Sequence, residues 1–476
     1  MRDSKPITPK PAATAIKTSS YVWGIAMVAA LGGLLFGYDW VVIGGARQFY
    51  EVYFHLSSSE LVGWANSCAL VGCLIGSLVA GPLANAAGRS RVLLASAVLF
   101  AVSSVLTGHA QTFSTFIAWR IIGGVAIGLS SNVSPLYIAE ISPAGIRGRL
   151  VSLNQLAIVV GIVLAQIVNW AIARPVVSGV PVDALLQSWN VQEGWRWMFY
   201  AVAIPAIVFT IAAIFLPESP RWLLDRGREA EARSILAHIG GDSHAASEIA
   251  NIKRSFARQA EASVGWKVFL RPEILRVVLT GMTLAVLQQW TGINILFNYA
   301  AEVYRNAGYR ANDIFLNIVI TGTINLVFTL VSMTLVDRVG RRQLMIYGAA
   351  GIGISHVVCA LAYHEQWPAA AVLTLTLCAI ACYALTLAPV TWVLIAEIFP
   401  HQIRSQGVSA AVSALWIASF LLTYSFPSLN SHLGMAGTFL LYGAICLSGV
   451  LFLKKGLPET KGKTLEEIED AIAVHF

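Results

Sequence analysis

The sequence predicts an all-α membrane protein with twelve transmembrane helices in two six-helix halves. Apolar stretches of about 20 residues recur along the chain, and this is the length at which a helix crosses a bilayer. Apolar residues make up 57% of the chain and charged residues only 12%, which is about half the charged share of a soluble domain. The same short signatures also occur once in each half, which indicates a duplicated unit.

The duplicated signatures follow the same order in both halves. The first half carries Gly88-Arg89-Ser90-Arg91, then Glu140 with Ser142-Pro143 and Arg147, then Pro217-Glu218-Ser219. The second half carries Gly340-Arg341-Arg342, then Glu397 with Phe399-Pro400 and Arg404, then Pro458-Glu459-Thr460. Binding sites in duplicated membrane proteins lie where the repeats meet, so we expect a central site.

The apolar stretches define the elements in order. The predicted spans of the N-terminal half are 22–46, 60–83, 91–109, 112–138, 150–173 and 196–216. Those of the C-terminal half are 273–304, 312–336, 343–363, 369–396, 405–427 and 433–453. The predicted domains are a disordered cytoplasmic tail at 1–21, the first half at 22–216, a cytoplasmic linker at 217–272, the second half at 273–453 and a cytoplasmic tail at 454–476.

Basic residues set the expected orientation. They concentrate after spans 2, 4, 8 and 10 and between spans 6 and 7, whereas the opposite loops hold only Arg47, Arg174, Arg305 and Arg310. Because positive loops stay inside, both termini should face the cytoplasm of a multi-pass protein in the cell (inner) membrane. The net charge of +7 is explained by these loops and calls for no nucleic-acid partner.

The linker is the one soluble piece of the chain. Alternating apolar and charged residues predict an amphipathic helix from Arg226 to His238 and a second helix from Ser247 to Arg258. Neither a nucleophile–base set nor a glycine-rich phosphate loop occurs there, so we do not expect an enzyme. All six cysteines fall within spans without neighbouring His or carboxylate ligands, so we expect no metal and no cofactor besides a coupling proton.

Six motifs in order give the chain a specific resemblance. They are Gly32-Gly33-Leu34-Leu35-Phe36-Gly37-Tyr38-Asp39, Arg120-Ile121-Ile122-Gly123-Gly124, Pro135-Leu136-Tyr137-Ile138-Ala139-Glu140, Pro217-Glu218-Ser219-Pro220-Arg221-Trp222, Gln288-Gln289-Trp290-Thr291-Gly292-Ile293-Asn294 and Pro458-Glu459-Thr460-Lys461-Gly462. The chain resembles the sugar porters of the major facilitator superfamily from about residue 22 to 470, and within them the bacterial proton-coupled pentose and hexose transporters. The resemblance implies the major facilitator fold, a central sugar site and alternating access.

Amide side chains suit a sugar, because Asn and Gln donate and accept hydrogen bonds as hydroxyl groups do. Such groups are unfavourable against lipid and should line a cavity. The candidate sugar-binding amides are Gln155, Gln288, Gln289, Asn294, Asn298 and Asn325. Hydrogen bonding between helices is the alternative explanation for each of them.

Gln289 and Asn294 cannot point the same way on a straight helix, because five residues correspond to a rotation of about 140°. The intervening Thr291-Gly292 predicts a local break in span 7, a device that transporter helices use at substrate sites. Such a break would also let the outer end of span 7 bend as a gate.

Aromatic rings supply the apolar side of sugar binding. Trp392 and Trp416 lie in the middle of spans 10 and 11 rather than in the interfacial belts, and both match aromatic positions that line the family's site. Phe36 is a further candidate, with core packing as the alternative for all three. The chain has Asn298 where the family often has Tyr and Leu415 where it often has a polar residue, so the relatives' sugar should not be assumed.

Two charged residues are predicted to share a depth inside the membrane. Asp39 in span 1 and Arg120 in span 4 each lie about 10–12 Å below the outer surface, counted at 1.5 Å per residue. An intramembrane carboxylate is a functional candidate by default. If its pairing with Arg120 differs between outward- and inward-facing states, Asp39 binds and releases a proton in each cycle; a purely structural pair is the alternative.

Charges at the inner helix ends are the candidates for a cytoplasmic gate. The group consists of Arg89, Glu140, Arg147 and Glu218 in the first half and Asp337, Arg341, Glu397 and Arg404 in the second. We expect ion pairs among them to hold the inner side closed and to release as the halves rock. Alternatively, they are solvated loop charges that only fix topology.

These observations predict a monomeric secondary transporter that imports a monosaccharide (pentose or hexose) or similar polyol with protons. A facilitative uniporter of the same fold is the nearest alternative. A non-transporting sugar sensor is a weaker one, because such proteins carry a long cytoplasmic tail and only about 20 residues follow span 12 here. The expected partners are the sugar, the proton and the lipid bilayer.

Overall fold

The computed structural model describes residues 20–175, 186–261, 271–399 and 403–457. In the N-terminal half, α1 (Ser20–Tyr53), α2 (Ser59–Ala87), α3 (Arg89–His109), α4 (Phe113–Ile141) and α5 (Arg147–Ile172) are followed by a π-helical turn (Asn190–Gly194) that leads into α6 (Trp195–Ile214). The described residues contain ten helical segments long and apolar enough to cross a membrane.

Short helices follow in the linker, namely α7 (Pro220–Asp225), α8 (Glu229–Gly240) and α9 (Asp242–Glu261). The predicted boundaries of both linker helices were wrong. The second helix, predicted from Ser247 to Arg258, runs from Asp242 to Glu261. The helix expected from Arg226 begins only at Glu229, because Gly227 with φ of 74° ends a separate turn of helix before it. That turn, α7, was not predicted, although Ser219 caps it and Pro220 stands at its first position, as is common at helix starts.

The C-terminal half contains helices that are broken or joined. Span 7 consists of α10 (Pro272–Trp290), α11 (Ile293–Asn298) and α12 (Ala300–Asn306), followed by α13 (Ala311–Val339) and α14 (Arg341–His364). Span 10 is divided into α15 (Ala369–Leu385) and α16 (Leu387–Glu397). Spans 11 and 12 are continuous in α17 (Arg404–Gly456), which changes direction at Gly434 (φ 66°, ψ 178°).

The twelve predicted spans therefore correspond to these helices, and the described residues contain no strand. Residues 1–19 and 458–476, which make up most of the two predicted tails, lie outside the described residues. The predicted C-terminal tail was placed to begin at 454, but helix α17 continues to Gly456.

Helices within the first half approach one another very closely. Glycines 72, 76, 124 and 128 lie where α2 crosses α4, and a Cβ atom on any of them would collide with the opposing backbone. This is the small-residue packing by which helices associate in a bilayer. Additional packing joins α1 to α5 and α3 to α6.

The two halves meet through α5 against α13, α2 against α17 and α1 against α11. We call the bundle end that holds Arg47 the outer end and the end that holds Arg89 the inner end, after the charge pattern of the loops. The interface between the halves positions the candidate site.

Candidate functional site

The break predicted in span 7 is present and brings its amides together. Gly292 adopts φ of 79°, in the left-handed region that favours glycine, and it separates α10 from α11. Across the break, Asn294 Nδ2 donates to Gln289 Oε1 at 2.5 Å, and Gln289 Nε2 donates to Gln288 Oε1 at 2.5 Å. Gln288 Nε2 in turn donates to the Tyr383 hydroxyl at 2.6 Å. We call Gln288, Gln289 and Asn294 the amide cluster.

The other candidate amides lie on three helices, α5, α11 and α13. Asn298 and Asn325 are buried, and Gln155 on α5 is half-buried. Asn298 follows Asn294 by one turn, and its Oδ1 has no hydrogen-bond partner among the described residues. Among the described residues these three amides make no hydrogen bond to the amide cluster, so the structure brings together three of the six candidates.

An aromatic cluster lies across the interface between the halves. The ring of Trp416 lies 5.9 Å from that of Phe36 and 6.1 Å from that of Trp40, and its Nε1 donates to Ser77 Oγ at 2.9 Å. Trp416 therefore reaches from the second half to two helices of the first. Trp392 is 37% exposed and does not belong to this packed cluster.

Asp39 and Arg120 form the predicted buried ion pair. Arg120 Nη1 donates to both carboxylate oxygens of Asp39, at 2.9 and 3.0 Å, and both residues are 3% exposed. The guanidinium also lies 5.4 Å from the centre of the Phe199 ring. The two residues therefore form a buried ion pair within the first half. Their pairing was expected from their shared depth.

The gate residues of the first half pair with one another at the inner end. Arg89 binds Glu140 through two hydrogen bonds of 3.0 and 3.1 Å, and Ser219 Oγ donates to the same carboxylate. Glu218 accepts the backbone N–H of Arg89 at 2.8 Å, at the start of α3, where a carboxylate is favoured by the helix dipole. Arg147 is exposed and donates to the Ser142 carbonyl at 3.3 Å.

In the second half, Arg341 and Glu397 lie 3.8 Å apart. The side chains of Asp337 and Arg404 lie outside the described residues. The inner ion pairs named here each lie within one half, whereas a closed gate requires pairs that join the halves. The gating role predicted for these residues stays a prediction.

A cavity of about 910 Å³ opens at the inner end, between α2, α4 and the linker helices. Its lining includes Arg89, Glu140, Trp222 and Phe256 and none of the candidate sugar-binding residues. It therefore lies between the linker and the bundle and is distinct from the amide cluster.

Sequence reasoning missed a charged cluster at the outer end. Arg47 on α1 binds Glu51 at 2.5 Å and Glu302 on α12 at 2.6 Å, and it stacks 4.3 Å from the centre of the Tyr299 ring. Asn430 on α17 donates to Glu302 at 2.6 Å. We call Arg47, Glu51, Glu302 and Asn430 the outer lock, because it joins the two halves. The charge pattern of the loops accounts for Arg47 only as one of the few basic residues on the outer side.

His356 on α14 was also missed. It is 1% exposed, and its Nε2 lies 2.8 Å from the carbonyl oxygen of Thr291. The helix break at Gly292 deprives carbonyls of their regular partners, and buried carbonyls need replacements. His356 therefore stabilises the broken backbone beside the amide cluster.

Replacing His356 by Leu should lower the stability of the purified protein by about 1–3 kcal/mol, because the Thr291 carbonyl would keep only the weak thiol donor of Cys446 at 3.8 Å. Thermal unfolding in detergent measures this, with His364→Ala as control, since the His364 side chain is 76% exposed. Equal melting temperatures for His356→Leu and wild type would show that the contact does not stabilise the break.

Comparison with known proteins agrees with this architecture. The model of the family described as "Sugar (and other) transporter" matches residues 25–472. The chain is 38% identical to the D-xylose-proton symporter of Escherichia coli (strain K12), over 95% of this chain and 96% of that protein. It is 34% identical to the arabinose-proton symporter of Bacillus subtilis (strain 168), over 97% of each.

Among solved structures, the xylose transporter XylE from E. coli in a partially occluded inward-open conformation matches with a TM-score of 0.83 and 36% identity. The match covers 94% of this chain and all of that one. The family model, the sequence identities and the fold agree, and the chain belongs to the sugar transporter family of the major facilitator superfamily.

Proposed function

We propose that this chain imports a monosaccharide (pentose or hexose) or a similar polyol together with protons, by alternating access. The observation that carries the proposal is the amide cluster at the helix break, where neutral donors and acceptors of the second half converge, next to the segment that Gly44 of the first half contacts. Such groups match the hydroxyl ring of a sugar without burying a charge. The names of the relatives, which are proton symporters of xylose and of arabinose, support the same substrate class and coupling ion.

The direction of opening follows from where the halves touch. The outer lock joins α1, α12 and α17, and the Phe49 and Phe315 rings stack 6.4 Å apart in the same region. At the inner end Arg89 pairs with Glu140 inside the first half. The contacts at the outer end support a state in which the outer side is closed, and transport requires a second state in which the lock has opened.

The buried pair of Asp39 and Arg120 is the candidate proton site. It lies in the first half and outside the amide cluster, so the sugar and the proton would occupy separate groups. Coupling then requires that the two halves move differently depending on whether Asp39 is protonated. The proposal further includes cytoplasmic termini, a monomeric carrier and no cofactor besides the proton.

Transport by purified protein in liposomes tests the proposal. The panel comprises D-xylose, L-arabinose, D-glucose and myo-inositol, each with and without an inward proton gradient. A symporter accumulates at least one of them only when the gradient is present. Equal, gradient-independent equilibration would instead identify a uniporter, and binding without any flux would identify a sensor.

Gln288→Ala and Asn294→Ala should each weaken sugar binding about fivefold to 150-fold, because a lost amide strands a hydroxyl at about 1–3 kcal/mol. Calorimetric titration of the purified variants measures the affinity. Gln111→Ala, at an exposed position outside the site, is the control and should bind as wild type does. Unchanged affinity in both site variants would mean that sugar binds elsewhere.

A further inference from the structure

Gln166 on α5 is a buried amide whose hydrogen-bonding capacity is unused. The residue is 1% exposed, and neither its Oε1 nor its Nε2 has a partner among the residues that the structure describes. A stranded buried polar group is destabilising, so one with both atoms unpaired calls for a functional explanation.

Helix α1 shows the depth at which Gln166 lies. Gly45 packs against the Asn169 amide on α5, and the adjoining Gly44 packs against the backbone of Asn298 on α11. Asn169 and Asn298 therefore lie at nearly the same depth. Gln166 precedes Asn169 by about one turn, and Asn294 precedes Asn298 by about one turn. Gln166 is thus level with the outer part of the amide cluster.

The direction of the side chain is equally defined. Gln166 packs directly on Gly322 of α13, where a Cβ atom would collide with its Oε1. Asn325 lies on the same face of α13, since residues three apart are neighbours on a helix. On α5, Gln155 and Gln166 are eleven positions apart, which leaves them only about 20° apart around the axis. Gln166 therefore extends the polar face that Gln155 begins.

We propose that Gln166 binds a hydroxyl group of the transported sugar and helps to determine which sugar is accepted. The proposal rests on the function proposed above. A hydroxyl donates and accepts, as does the amide, so one sugar hydroxyl can satisfy an atom that the protein leaves unpaired. A site with a buried unpaired amide also rejects an analogue that lacks the matching hydroxyl more strongly than an apolar pocket does.

Deoxysugars test this pairing directly. Calorimetry measures the affinities of wild type, Gln166→Met and Gln166→Leu for the best-bound sugar of the panel and for each of its monodeoxy derivatives. Wild type should bind one derivative about tenfold more weakly than the parent sugar. Both variants should bind the parent about tenfold more weakly and should no longer distinguish it from that derivative.

Asn317→Leu is the matched control. Asn317 lies on α13, five positions outward of Gly322, and it is also a buried amide with an unpaired Nδ2 among the described residues. Its removal should change neither the affinity nor the discrimination. Gln166→Met keeps the side-chain length, and because it removes a stranded amide, it should unfold at a temperature no lower than wild type.

The outcomes separate the two proposals. Wild-type affinity and full discrimination in both Gln166 variants would show that this side chain only packs α5 against α13, and the inference would be wrong. If wild-type protein itself binds no sugar of the panel, the proposed function fails before Gln166 is tested.

Discussion

Replacing Asp39 by Asn should abolish the accumulation of sugar against its concentration gradient while leaving sugar binding intact. Asn keeps the size and hydrogen-bonding capacity of the side chain but cannot titrate. Its partner Arg120 is 3% exposed and would lose its counter-charge, so the pair could no longer respond to a proton. Since each charge that moves through 100 mV supplies about 2.3 kcal/mol, losing it removes the driving force for uphill transport.

Two assays on the same liposomes separate coupling from damage. Counterflow between equal sugar pools should persist in Asp39→Asn, because the loaded carrier needs no net proton movement. Accumulation driven by an inward proton gradient should fall to the equilibrium level. Asp313→Asn is the control, since Asp313 is exposed in the first turn of α13 and should leave both activities unchanged.

Continued accumulation by Asp39→Asn would place the proton site elsewhere or identify a different driving ion. Loss of counterflow together with accumulation would indicate that the variant is misfolded or locked. Titration with the transported sugar distinguishes these two cases, because a folded variant keeps its amide cluster.

Helix geometry explains which parts of the site could be predicted from the sequence. Counting residues at a fixed rise placed Asp39 and Arg120 at one depth, and the two side chains are in contact. The rotation between Gln289 and Asn294 required a break, and Gly292 supplies it. Both inferences rest on distances along single helices, which the sequence determines directly.

Contacts between helices that are distant in the chain were not predictable in the same way. His356 lies on an apolar helix with no local pattern to connect it to Thr291, so only the folded arrangement shows the contact. Arg47 and Glu302 are separated by most of the first half and the linker. Their pairing depends on which side of the bundle is closed.

The partners of the charged residues at the inner end depend on the conformational state. Arg89 and Glu140 pair within the first half here, and the same residues could contact the second half in another state. Sequence shows that the charges lie at helix ends but not which partners they have in each state. Only the relative position of the halves decides this, and both positions occur in one transport cycle.

Replacing Glu302 by Gln should shift the protein toward molecules that are open at the outer end. Arg47 would keep Glu51 on its own helix but lose the ionic partner that ties α1 to α12. Gln also replaces the carboxylate that accepts from Asn430, so the tie between α12 and α17 within the second half weakens as well. A change of about 1–3 kcal/mol in the equilibrium between states alters their ratio by roughly 5- to 150-fold.

A cysteine at Ser67 can report the change. Ser67 is fully buried on α2, four positions after Gly63, which packs against the backbone of Tyr424 on α17. Labelling of Ser67→Cys by a membrane-impermeant maleimide, in a Cys378→Ser background that removes the exposed thiol, should be faster when Glu302→Gln is present.

Glu365→Gln is the matched control, because it also neutralises a carboxylate at the outer end. The Glu365 side chain is 56% exposed, and its partner is the neighbouring His364. The variant should leave the labelling rate at the wild-type level, since an exposed pair contributes little. If Glu302→Gln also labels at the wild-type rate, the outer lock does not hold the halves together. The closed outer side would then depend on the packing of α2 on α17 and of α5 on α13 rather than on charge.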